Sequence, residues 1–176
     1  MRNLEWMRKR THAINAWLWD LLPVRRPAGA VISAPRPISR DSARARYEEL
    51  VAAMKQTHAV RVRRWRTSNS GCAWQVMYVD GTVSRLIEAP YPRGPVSAAV
   101  FLHEIGHHAI GFHRYKLRCL EEYMAWQWAL KAMREHDIPI TPRVDRLVHR
   151  SIRYAVAKAR RRGLKRLPRE LKSFVA

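Results

Sequence analysis

His103-Glu104-Ile105-Gly106-His107 sets two imidazoles four positions apart with a carboxylate beside the first. On a helix, residues i and i+4 share one face, so both rings can reach a single ion. Imidazole pairs of this kind bind a divalent metal, and the ligand type points to Zn²⁺. Such an ion lowers the pKa of a bound water, and Glu104 lies where it can accept the proton. The chemistry implied is metal-assisted hydrolysis. Val96, Ala99 and Val100 fall on the same helical face as the two histidines. That places the site on an inward, desolvated side.

A catalytic zinc takes three protein ligands and keeps one position for water. His113 follows His107 by six residues, the histidine spacing of the metzincin pattern H-E-x-x-H-x-x-G-x-x-H. That pattern needs glycine three residues after the second His, where this chain has Ile110; its glycine comes one place later, at Gly111. A residue with a side chain does not make that sharp turn readily. Glu121 and Glu122 are the other candidates, and on one helix they point about 100° apart.

The segment Glu122-Tyr123-Met124-Ala125-Trp126-Gln127-Trp128-Ala129 resembles the E-x-x-A-x-x-[FW]-A signature that follows the metal helix in the ImmA/IrrE metallopeptidases. The resemblance covers roughly residues 40–136. It implies a gluzincin-type site with His103, His107 and Glu122 as ligands and Glu104 as general base. Small Ala125 and Ala129 would let the second helix approach the first closely. Two departures stand out. Trp126 occupies a position where the signature usually has Asn or Asp, and the connection from His107 to Glu122 is short, leaving little room for a lid. The resemblance further implies an enzyme of phage or mobile-element type that cleaves a repressor or another DNA-associated regulator.

Elements that position these residues can be read from periodicity and punctuation. Pro95 suits the first turn of a helix over 96–110, with Gly111 as its stop. A helix over 118–136 carries the glutamates. Before them, a helix over 41–56, capped by Asp41 or Ser42, has Tyr47, Leu50, Val51 and Met54 on one face. Segments 72–79 and 82–88 flank Asp80-Gly81, a hairpin turn signal, and Val60, Val62 and Trp65 mark a strand with imperfect alternation. The expected fold is α+β: a mostly helical zincin-like domain with a small antiparallel sheet packed on the metal-site helix. Thr141-Pro142 opens a helix to about residue 162, and a short last helix follows near 168–174.

Residues 1–38 read as an arm: a helix over 3–22 with Trp17 and Trp19, then a linker marked by Pro23, Pro27, Pro35 and Pro37. The catalytic core then spans 39–140, and 141–176 is a basic extension packed on it. Residues 143–172 hold 12 Arg and Lys against two acidic residues, Asp145 and Glu170. Val144, Leu147, Val148, Ile152 and Ala155 give that helix an apolar stripe, with cations on its other faces.

The whole chain of 176 residues carries 34 Lys and Arg against 14 Asp and Glu, a formal charge of +20. Such a surplus suits a polyanionic neighbour, and nucleic acid bound through the basic C-terminal helix is the simplest. The competing reading is a nucleic-acid-binding or assembly protein with a structural metal, in which His113 would complete a four-ligand site and Glu104 would have no task. A two-metal nuclease needs more carboxylates than this chain clusters. Cys72 and Cys119 form no CxxC pair and no disulfide framework, which favours a reducing, cytoplasmic setting. Asp20 and Arg25-Arg26 argue against a signal peptide, and no apolar run reaches the ~20 residues of a membrane span.

Overall fold

The structure, a computed structural model, describes residues 40–175. The N-terminal arm and proline linker lie outside the described residues. Helix α1 (Arg40–Thr57) is followed by strands β1 (Val60–Arg66), β2 (Cys72–Met77) and β3 (Val83–Pro90), then helices α2 (Pro95–Ile110), α3 (Arg118–Glu135) and α4 (Pro142–Arg161). A 3₁₀ helix (Arg169–Phe174) ends the described chain. The fold is α+β, mostly helical, with one small sheet. No described helix is long and apolar enough to cross a membrane.

The sheet has the order β1-β3-β2. The hairpin forms at the predicted place: β2 and β3 pair antiparallel, with Cys72 opposite Glu88 and Met77 opposite Val83. Gly81 takes a positive φ of 81°, and Asp80 accepts from the Thr82 amide and hydroxyl, so both turn residues have a defined part. β1 corrects the expectation of a wholly antiparallel sheet. It pairs parallel to β3, making the sheet mixed. The register shifts between Val62 and Arg64, which accounts for the broken alternation of this strand. One extra residue restores the inward parity of Trp65, whose ring lies 4.8 Å from Tyr91 and 5.9 Å from Phe101.

α1 begins one residue earlier than predicted, so Asp41 lies in its first turn, where a carboxylate favours the positive end of the helix dipole. Its stripe of Leu50, Val51 and Met54 is buried, with Tyr47 packed against the core. α2 is the central helix. It is apolar nearly all round, and residues 98–108 are buried without interruption. It packs on β3, on α3 and on α4. His108 joins two of these layers by donating from Nε2 to the Leu86 carbonyl of β3 at 3.1 Å. Burial outweighs that bond and lowers the His108 pKa to about 4, so the ring stays neutral.

α4 starts at the predicted cap, Thr141, whose hydroxyl accepts from the Val144 amide. Val144, Val148, Ile152 and Val156 are buried, while Leu147 and Ala155 are only partly covered. α4 belongs to the same compact unit as the metal helix.

Candidate metal centre

α2 owes its placement to its two ends. Ser97 Oγ accepts from the backbone amides of Arg93 and Gly94, occupying donors that a helix start leaves open. Gly111 ends the helix with φ at 83°, and His113 follows in the left-handed region at 59°. The chain thereby reverses within a few residues, and α3 runs back alongside α2. The two helices approach closely at Gly106, where a Cβ would lie 2.8 Å from the Ala125 carbonyl oxygen. Ala125 and Ala129 are fully buried at this contact, as their size led one to expect.

This approach brings three side chains to one point. His103 Nε2 lies 3.3 Å from Glu122 Oε2, and His107 Nε2 lies 3.7 Å from the same oxygen. One donor atom from each of His103, His107 and Glu122 falls within 4.8 Å of the others. The group could hold a metal ion. Two imidazoles and a carboxylate form the donor set of open zinc sites. Burial, with His107 and Arg118 adding to it against Glu122, lowers the His103 pKa to about 4, so the ring is neutral and free to ligate. For Glu122, burial alone would raise the pKa. Hydrogen bonding to His103 and His107 outweighs it, and the carboxyl sits well below its usual range.

The other two candidates fall elsewhere. His113 is exposed and outside the group. Glu121 is buried behind His107, its Oε1 3.5 Å from Nδ1, and it accepts from Arg118. Glu121 therefore lies beside the group and not in it, and His107 Nδ1 is buried without a hydrogen-bond partner among the described residues. Arg118, not singled out beforehand, also donates to Glu122 Oε1 at 2.9 Å and so fixes both glutamates. Its spacing of three and four residues ahead of two acids was the available signal.

Trp126 changes the meaning of its departure from the signature. Its ring stacks on His103 at 4.1 Å between centroids and 15° between planes. His103 Nδ1 and Trp126 Nε1 are buried without hydrogen-bond partners. The ring of His103 is therefore held by packing, where Asn or Asp would have offered a polar partner.

Glu104 is 4% exposed and lies under the loop between β1 and β2. A Cβ on Gly71 would lie 2.5 Å from Glu104 Oε1 and 2.6 Å from its Cγ. Only a glycine leaves room there, and no sequence pattern pointed to it. Burial, reinforced by the Glu122 charge and opposed by Arg118 and Arg66, raises the Glu104 pKa to about 8. A cleft of about 950 Å³ opens over the group, lined by His103, Glu104 and Glu122 and walled by α4 through Leu147, Arg150 and Tyr154. Tyr154 is the tyrosine of this lining: Tyr123 packs against Phe174, and neither Tyr115 nor His113 lines the cleft.

Compared with known proteins, the chain matches no family model, no curated protein and no solved structure.

Proposed function

We propose that this protein is a zinc-dependent metallopeptidase of the ImmA/IrrE kind. The observation that carries the reading is the convergence of His103, His107 and Glu122 on one point at the floor of an open cleft, with Glu104 beside them. A bound Zn²⁺ would supply Lewis acidity, activating a water and polarising a peptide carbonyl. Glu104 takes a proton from the attacking water and returns it to the leaving amine. Arg118 pairs with both Glu121 and Glu122 and holds the Glu122 carboxylate in orientation. Tyr154 offers a hydroxyl on the cleft wall for the developing oxyanion.

The structural-metal reading has less support. It needs a fourth protein ligand, and His113 stands outside the group. It also gives no reason for a buried carboxylate, Glu104, to line a cleft over the ligands. The substrate proposed is a protein, and the net charge of +20 favours one associated with DNA, such as a repressor.

Metal analysis of wild type and Glu122→Ala tests the site. About one zinc per chain in wild type and strong loss in the variant are expected. Glu104→Gln tests the chemistry: it should keep its zinc and lose turnover. Profiling of newly formed protein N-termini in a lysate gives the readout. Identical profiles for wild type and Glu104→Gln would refute a peptidase.

A further inference from the structure

We infer that the cleft over the metal group selects acidic peptide segments, an inference that rests on the peptidase reading and names its substrate class. Arg150, Tyr154 and Lys158 recur every fourth residue along α4, Arg162 follows at its C-terminal cap, and all four line the cleft. Lys116 faces them from the α2–α3 connection. Lys116, Arg150, Lys158 and Arg162 are exposed, and none makes an ion pair among the described residues. The carboxylates that line the cleft are Glu122, in the metal group, and Glu104, buried beside it, and Arg118 binds Glu122. Beyond the metal group the wall is therefore positive and uncompensated. A low-dielectric cleft lined by one sign of charge concentrates the opposite sign.

The floor decides what kind of anion fits. Val100, Leu117, Leu147 and Leu164 line the same cleft as the cations and are less exposed than they are. Apolar side chains at that depth suit a chain that alternates acidic and apolar residues, as an extended peptide presents on its two faces. A single-stranded nucleic acid carries charge at every unit and gains from exposed aromatic platforms. Here Trp126 is buried on His103, and Tyr154 is the exposed ring of the lining. Eight helical residues separate Arg150 from Lys158, about 12 Å of rise, or roughly four residues of extended chain. Acidic residues at alternating positions near the scissile bond would meet both.

The test uses a fluorescein-labelled peptide pair: one carries Glu at alternating positions among apolar residues, and its twin carries Gln there. Binding is measured on full-length, zinc-loaded Glu104→Gln, and hydrolysis on wild type. The Glu peptide is expected to bind about tenfold more tightly, with the preference fading as salt rises. Joint R150Q, K158Q and R162Q should drive the ratio towards one; these side chains are exposed, and circular dichroism checks the fold. Equal binding of the two peptides by the Glu104→Gln protein overturns the inference, as does a preference that survives the triple substitution. A DNA oligonucleotide that displaces the Glu peptide at lower concentration, and loses that ability in the triple variant, overturns it in favour of nucleic acid. Selective binding without hydrolysis of either peptide by wild type supports the selectivity of the cleft and counts against the peptidase reading.

Discussion

At the scale of single residues, the site depends on neighbours that contribute shape more than charge. Gly71 leaves no space between its Cα and the Glu104 carboxyl. Gly71→Ala forces Glu104 to move, since a Cβ contact near 2.5 Å cannot persist. We expect kcat to fall about 100-fold while zinc content stays at the wild-type level, measured on the same preparations. Trp126→Leu removes the ring stacked on His103. Zinc affinity should fall about tenfold in a chelator competition, the size of effect that supporting residues around a metal show. Tyr154→Phe separates chemistry from binding: kcat should drop about 100-fold with little change in KM. An unchanged kcat would remove Tyr154 from the mechanism.

At the scale of elements, the helical hairpin α2–α3 carries all three candidate ligands, so its packing would set the geometry of a metal held there. Gly106→Ala places a methyl 2.8 Å from the Ala125 carbonyl oxygen and 3.3 Å from the Trp128 ring. Backbone cannot yield as a side-chain tip does, so α3 must shift and take Glu122 with it. A loss of about 1–3 kcal/mol in denaturant unfolding, together with weaker zinc binding, is expected. A stability loss with unaltered zinc affinity would show that the approach at Gly106 does not govern the site. Much at this scale was legible in the sequence. The helix ends at Pro95, Gly111 and Thr141 and the turn at Asp80-Gly81 are local signals with local causes, and they fall where expected. The parallel pairing of β1 was not legible, because it is set by a partner some 25 residues away in the chain. His103, Glu104 and His107 were readable from spacing alone. Glu122 needed the resemblance, and Gly71 and Tyr154 needed the tertiary fold, since neither sits in a periodic relation to the ligands.

At the scale of the molecule, the basic helix α4 is both core and wall. Its buried edge joins α2 and α3, and its cationic edge faces the cleft. Ile152 is fully buried, so Ile152→Ala should cost about 2–5 kcal/mol, read by denaturant unfolding. The charge of the extension was evident from composition. That part of it lines the same cleft as His103 was not, because the apolar stripe marks which side of a helix is buried and says little about what the remaining sides face.

The three candidate ligands come from one helical hairpin and lie within twenty positions of each other in the chain. The roof over Glu104 comes from the sheet, and the far wall of the cleft comes from α4. The connection between α2 and α3 is short, so closing this hairpin costs little entropy. Holding a metal would need this hairpin alone, whereas the proposed chemistry would also need the loop over Glu104 and the wall that α4 supplies. In a sample where α4 had come away from an intact hairpin, metal content alone would therefore overstate the fraction able to do the proposed chemistry.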